Sequence, residues 1–175
     1  MPCKRMPLEE YFSPNRRATL ESALVFALTY TESLPPLSST PLNAKGYGLT
    51  ETCGVVTGST LSALDPVGLV GGPFRCCRVS LVSCPELLDG QGRPYLVDDR
   101  VDERGRPCLG RGEVVVAGHN LAARYFKQPA VTAEVFRQGA AGAEFLTGDV
   151  GCWRADGSLA IVDRRKNLVK LNGGE

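Results

Sequence analysis

Residues 151–163 read GCWRADGSLAIVD. Asp156 and Gly157 form a dipeptide that favours tight hairpin turns, because both residue types tolerate positive φ. Residues 151–154 stand before the turn and the apolar, β-branched run SLAIVD (158–163) after it. A β-hairpin with its tip at Asp156 and Gly157 is therefore expected. Working outward, RVSLVS (78–83) and EVVVA (113–117) are β-branched runs bounded by breakers, the same strand signal. From Gly46 onward the chain reads as short strands separated by Gly, Pro and Asp turns. The fold class expected is mainly β with some α.

One helix candidate interrupts the strands: PAVTAEVFR (129–137). Pro129 suits a first helical position, where its missing N–H would be unpaired anyway. Residues 88–109 are rich in Gly, Asp, Arg and Pro around an apolar island at 95–97, which predicts a surface loop or a long hairpin. Residues 1–44 have a different texture. A short helix over 17–30 is expected there, in a stretch whose Tyr, Thr and adjacent apolar residues also suit a strand. The breaker-rich run SLPPLSSTPLN (33–43) follows, so 1–44 reads as an appended segment and linker.

A chain of 175 residues has room for one domain with a real hydrophobic core. Twenty basic against nineteen acidic residues leave a formal charge of +1. That balance supplies no broad field to attract nucleic acid, and no nucleic-acid partner is expected. The seven cysteines (Cys3, Cys53, Cys76, Cys77, Cys84, Cys108, Cys152) are odd in number and lack zinc-ligand spacing. They read as reduced thiols of a cytosolic-type compartment. The apolar run LESALVFALTY (20–30) contains Glu21 and is too short to span a bilayer. It also lacks the cleavage pattern of a signal peptide.

Three stretches could carry chemistry. In KGYGLTETCG (45–54) two glycines flank an aromatic residue and lead into Thr, Glu and Thr. Glycine permits close backbone approach to a ligand, a flat tyrosine can stack on a base, a threonine hydroxyl can bond a phosphate oxygen, and a carboxylate can hold Mg²⁺. The same residues also suit a polar turn leading into a helix or strand. FLTGD (145–149) ends in an acid placed to accept hydrogen bonds from vicinal hydroxyls, as acids do for ribose elsewhere, although Thr-Gly-Asp is also a common turn. DRRKNLVK (163–170) carries three adjacent basic residues, which as a charge run also reads as a solvated face.

The three blocks occur in one chain in the order YGLTE, then TGD followed by W and DGSL, then DRRKNLVK. That joint order, over residues 45–175, resembles the adenylate-forming superfamily of acid–CoA ligases, firefly luciferase and peptide-synthetase adenylation domains. Within it the chain is similar to the long-chain fatty acyl-CoA synthetases, through GGPFRCCRVSL (71–81), the step from Pro85 to Glu86 before the Tyr95 loop, and residues 142–166, which match that group's fatty-acyl signature.

The resemblance implies an AMP-forming ligase that uses ATP, Mg²⁺ and CoA on a fatty acid. Tyr47 would stack on adenine, with Gly48 beside the nucleotide. Thr50 would contact the α-phosphate and Glu51 would bind Mg²⁺, making these two the catalytic pair. Asp149 and Arg164 would hold the ribose hydroxyls, and Lys166 would be the hinge about which a small C-terminal domain rotates. The implied architecture is a distorted β-barrel-like subdomain. Residues 45–165 would be a partial AMP-binding domain, and 166–175 the hinge and the start of the next domain. The place of work implied is the cytoplasm or a membrane surface such as the endoplasmic reticulum, with any attachment made by regions outside these residues.

Departures from the pattern shape the expectation further. No Ser/Thr/Gly-rich phosphate loop ending in Pro-Lys-Gly precedes YGLTE, and the adenylation lysine of the C-terminal domain is not among these residues. Loss of a single preorganised donor costs on the order of 10²–10³ in rate, so a fragment inactive alone is expected. The alternatives are a non-catalytic nucleotide-binding remnant or another adenylate-forming enzyme. Lys45 stands where relatives often have glutamine beside the acyl pocket. His119, where many have proline, reads as a surface or loop histidine. Trp153, Tyr125 and Phe126 match family positions and are expected to be buried in the β core.

Overall fold

The computed structural model describes residues 45–59, 68–139 and 142–173. The helix expected over 17–30, and the whole segment 1–44, lie outside the described residues. The anticipated hairpin is present: β9 (Gly142–Arg154) turns into β10 (Leu159–Arg164), with Leu159 opposite Trp153. The Gly157 N–H donates to the Arg154 carbonyl, and Gly157 takes the positive φ of 82° that its lack of a side chain permits.

Around this hairpin the strands pair antiparallel. β1 (Gly46–Leu49), β2 (Gly54–Gly58) and β3 (Leu69–Pro73) lead to β10, then β9, β7 (Cys108–Gly118) and β4 (Cys77–Val82). β8 (Phe136–Gly139) adds to β9. A separate pair, β5 (Cys84–Leu88) with β6 (Pro94–Tyr95), lies off this path. The mainly β expectation holds. Among the described residues no pairing joins β4 back to β1, so the sheet does not close into a barrel.

The core explains why β7 runs longer than its β-branched centre. Val114 and Val116 enter a cluster with Tyr47, Leu49, Val56, Val70, Val79, Leu81, Phe145, Trp153 and Leu159. Val115, pointing to the other face, is also fully buried. A strand buried on both faces reads as a continuous apolar run rather than an alternating one. Each buried valine contributes roughly 1.5–3 kcal/mol of transfer free energy. A second cluster of Cys84, Leu87, Tyr95 and Val150 is capped by Leu168 of α2 (Arg165–Gly173), which seats that helix on the sheet.

Three local expectations are corrected. The helix α1 (Pro129–Val135) stops two residues short of the predicted end. Phe136 turns extended, pairs with Phe145 and packs its ring 4.9 Å from the Phe145 ring. Tertiary burial of an aromatic side chain outweighs helix propensity there. Trp153 is buried as expected, but Phe126 is 83% exposed, with the Lys127 ammonium 5.2 Å above its ring, and Tyr125 is only partly covered. Residues 88–109 form neither a plain loop nor one long hairpin.

That last segment is built from twin turns. Asp89-Gly-Gln-Gly-Arg93-Pro94 and Asp102-Glu-Arg-Gly-Arg106-Pro107 share the pattern Asp-x-x-Gly-Arg-Pro. In each, the acid's Oδ1 accepts two backbone N–H bonds, from Gln91 and Arg93 at 2.9 Å in one and from Arg104 and Arg106 at 2.8 Å in the other. Arg111, on β7 and almost wholly buried, donates to Asp89 at 2.7 Å, Asp99 at 2.6 Å and the Pro94 carbonyl at 2.8 Å. Its guanidinium also lies 4.8 Å from the Tyr95 ring centroid. Burying a charge this way is tolerated only when its donors are matched, and here they are.

Among the described residues no helix is long and apolar enough to cross a membrane. The described cysteines are free thiols.

Candidate functional site

The TGD block owes its shape to a bulge. Glu113 of β7 faces Val150 of β9 and Val115 faces Leu146, so Thr147, Gly148 and Asp149 all lie opposite Val114. Extra residues in one strand re-aim a side chain, and each member of the block supports that distortion. The Thr147 hydroxyl donates to the Val114 carbonyl at 2.8 Å and accepts the Asp149 N–H at 3.1 Å. Gly148 takes φ +70°, a conformation costly for residues with a Cβ. Asp149 thereby sits directly opposite Arg164 in the β9–β10 register, itself offset by a bulge between Ile161 and Asp163.

The result is a three-residue cluster drawn from all three sequence blocks. Arg164 Nε lies 2.7 Å from Asp149 Oδ1, and the Tyr47 hydroxyl donates to Asp149 Oδ2. Tyr47 is 1% exposed and Asp149 3%, whereas the Arg164 side chain is half-exposed and marks the way in from solvent. Burial pushes the Asp149 carboxyl up to about 6. The Tyr47 hydrogen bond and Arg164 oppose that rise, while Glu113 and Asp163 add to it. Burial, and then the adjoining carboxylate, holds the Tyr47 phenol well above its ordinary range. A buried acid with a raised midpoint beside a half-exposed cation makes this cluster a candidate site.

The YGLTE block brings Tyr47 to this cluster. β1 and β2 come so close at Gly48 that a Cβ there would lie 1.9 Å from the Gly54 carbonyl oxygen, which no side chain can survive. A 3₁₀ turn, Thr50–Thr52, closes the hairpin and ends at Cys53 in the left-handed region. The buried Thr52 hydroxyl is consumed locally, accepting the Leu49 N–H and donating to the Leu49 carbonyl. Thr50 is exposed instead. Glu51 is half-buried, and its carboxylate accepts the Tyr125 hydroxyl, a phenol that burial and then Glu51 push up to about 12. The Glu51 carbonyl accepts the Ala122 N–H at 2.7 Å, so the segment after β7 braces this turn.

The basic run is only partly a solvated face. Arg164 closes on Asp149, and Arg165 reaches Glu113 at 2.6 Å and Glu86 at 2.7 Å. Lys166 is exposed at the root of α2. Thus Tyr47, Asp149 and Arg164 converge, Thr50 and Glu51 share a neighbouring turn, and Lys166 sits two residues beyond Arg164. His119 is exposed in the turn after β7. A cavity of about 400 Å³ lined by Arg75, Cys76, Arg78, Gly118 and His119 includes none of the predicted site residues. Sequence reasoning missed Glu113 and the Tyr125 hydroxyl. The one available signal was an acid opening the otherwise apolar strand run EVVVA.

No protein-family profile matches the chain. It is 37% identical over 169 residues to long chain acyl-CoA synthetase 8 of Arabidopsis thaliana, covering 91% of this chain and 21% of that protein. It is 38% identical over 134 residues to fatty acyl-CoA synthetase B of Dictyostelium discoideum, covering 75% and 17%. The chain therefore spans about a fifth of the length of the curated relatives it matches. Among solved structures, O-succinylbenzoate coenzyme A synthetase from Bacillus subtilis, in complex with AMP, superposes with a TM-score of 0.50 at 24% identity, over 71% of this chain and 27% of that one. That likeness concerns the fold alone.

Proposed function

We propose, from the premise that this chain is homologous to one segment of the long-chain acyl-CoA synthetases, that it is the adenosine-facing part of an AMP-forming long-chain fatty acid–CoA ligase. The observation that carries the reading is the convergence of Tyr47, Asp149 and Arg164, residues from three distant blocks, on one carboxyl group. In the proposed reaction a carboxylate attacks ATP to give an acyl-adenylate and pyrophosphate, and CoA thiol then displaces AMP to give acyl-CoA.

In this scheme ionised Asp149 accepts the ribose hydroxyls, and Arg164 supplies the facing charge. The Tyr47 hydroxyl now occupies the Asp149 oxygen that a ribose hydroxyl would take. Ribose binding therefore releases the phenol, and stacking on adenine requires the buried ring to turn outward at that moment. Exposed Thr50 is free to meet an α-phosphate oxygen. Glu51, a single half-buried carboxylate steadied by Tyr125, suits Mg²⁺, which is commonly held by one or two carboxylates plus substrate phosphates. Bound there, Mg²⁺ would offset charge on the reacting phosphoryl group. Lys166, at the root of α2, takes the hinge role.

Titration calorimetry of AMP against the chain and its Asp149→Ala variant tests the proposal. Saturable AMP binding by the parent, weakened at least about tenfold in the variant, is expected for loss of a charge-assisted pair of hydrogen bonds. Absence of AMP binding by the parent, or equal affinity in both, overturns it.

A further inference from the structure

We infer that Glu113 is a positioning residue that holds the Asp149 loop and the root of α2 in one register, and this deepens the nucleotide-site reading on which it rests. Glu113 lies on β7, opposite Val82 on one side and Val150 on the other, with its side chain only 5% exposed. A carboxylate in a doubly buried strand has no packing reason to be there. A buried carboxyl needs hydrogen-bond partners, and both of its oxygens have one.

Those partners bracket the Asp149–Arg164 pair. Oε1 accepts the Gly148 N–H at 3.2 Å, one residue before Asp149. Oε2 accepts Arg165 Nη1 at 2.6 Å, one residue after Arg164. The other Arg165 nitrogen reaches Glu86 Oε1 at 2.7 Å, tying the same guanidinium to β5. One side chain thus fixes the left-handed Gly148 that aims Asp149 and the residue from which α2 begins. Among the described residues the side-chain hydrogen bonds of Glu113 and Arg165 go to Gly148, Glu86 and each other rather than to Tyr47, Asp149 or Arg164. Arg165 is the last residue before Lys166, so the Glu113–Arg165 link anchors the fixed side of that pivot and ties the base of α2 to the Asp149 loop.

Glu113 also acts through space. Asp149 is faced by Tyr47 from β1, by Arg164 and Asp163 from β10, and by Glu113 from β7, whose negative charge opposes ionisation of Asp149. Removing that charge alone lowers the Asp149 midpoint. A residue that only filled space would not move it.

The experiment compares the parent chain with Glu113→Gln and with Arg165→Ala, the latter at a 41% exposed side chain. Hydrogen exchange is measured on residues 147–149 and 165–170 without nucleotide, and the Asp149 carboxyl is titrated by ¹³C NMR. Expected are exchange faster by about tenfold in both segments in both variants, and an Asp149 midpoint lower in Glu113→Gln than in the parent. Should Glu113→Gln fail to fold, Arg165→Ala decides: acceleration confined to 165–170, with 147–149 unchanged, overturns the inference. Unchanged exchange in both segments of a folded Glu113→Gln also overturns it. AMP titration of the same proteins separates the two claims, since a parent that does not bind AMP while the exchange effects persist removes the nucleotide reading and leaves the coupling standing.

Discussion

The chain buries acids in two regions, and treats them in opposite ways. Around Arg111, burial alone would raise the Asp89 carboxyl, but the Arg93 N–H, the Arg111 guanidinium and the Gln91 N–H outweigh it and hold the group at about 2. Around Asp149, burial wins and the group stands at about 6. Asp89 accepts hydrogen bonds from two backbone amides and two arginines. Asp149 has one half-exposed arginine, one phenol and two neighbouring carboxylates. A fully partnered acid stabilises the fold in its charged form, whereas burial outweighs the partners of a sparsely paired one and raises its midpoint.

The contrast is broken most severely at Arg111. Arg111→Ala leaves Asp89 buried beside only Arg93 and deprives Asp99 of its cation, so a loss of roughly 3–5 kcal/mol is expected, read by urea denaturation. A loss under 1 kcal/mol would mean that the network is dispensable.

The next largest effect has the opposite sign and depends on pH. Folding raises the Asp149 midpoint from 3.8 to about 6, so its contribution is fully present below pH 3.8 and is lost as pH rises through 6. Asp149→Asn stays neutral throughout. Relative to the parent it should gain about 2–3 kcal/mol between pH 3.5 and pH 8, at the expense of nucleotide binding. Asp89 runs the other way: its midpoint falls from 3.8 to about 2, so its stabilisation is present above 3.8 and lost as pH drops through 2. Denaturation curves at several pH values check both directions, and a pH-independent difference between Asp149→Asn and the parent would refute the first.

Tyr47→Phe sharpens the same point on a smaller scale. The phenol's hydrogen bond favours ionised Asp149, so removing it raises the carboxyl midpoint and moves the onset of AMP binding to higher pH. The stability change should be about 1 kcal/mol. The smallest effect is expected at the twin turns' outer arginines. Arg93 and Arg106 are each more than a third exposed, and replacing either with Ala should cost about 1 kcal/mol or less in thermal denaturation, since solvent screens such pairs.

Much of this arrangement was legible in residue order. The Asp156-Gly157 hairpin, the β-branched runs and the single helix start at Pro129 follow from local chemistry, and the structure contains all of them. Asp149 and Arg164 were brought together in the sequence only through the family resemblance, which assigns both to the ribose hydroxyls; their ion pair is a finding of the structure. What was not legible depends on distant contacts. The α1 boundary is decided by Phe145, nine residues past Phe136, and Phe126 faces solvent although its neighbour Tyr125 turns inward to Glu51. The repeated Asp-x-x-Gly-Arg-Pro turns were visible in principle, but the bonds that join them, from Arg93 to the Asp102 carbonyl and from Gln91 to the Glu103 carbonyl, were not. The role of Glu113 needed the bulge at Gly148, which no run of residues announces.

A ¹³C-detected titration of the side-chain carboxyls in the intact chain, with Asp89 and Asp149 assigned by substitution, tests the contrast most directly. The account predicts an Asp149 midpoint near 6, displaced by added AMP, and an Asp89 midpoint near 2 that AMP leaves unmoved. Midpoints for both acids in the ordinary carboxylate range, or an Asp149 signal indifferent to AMP, would contradict it.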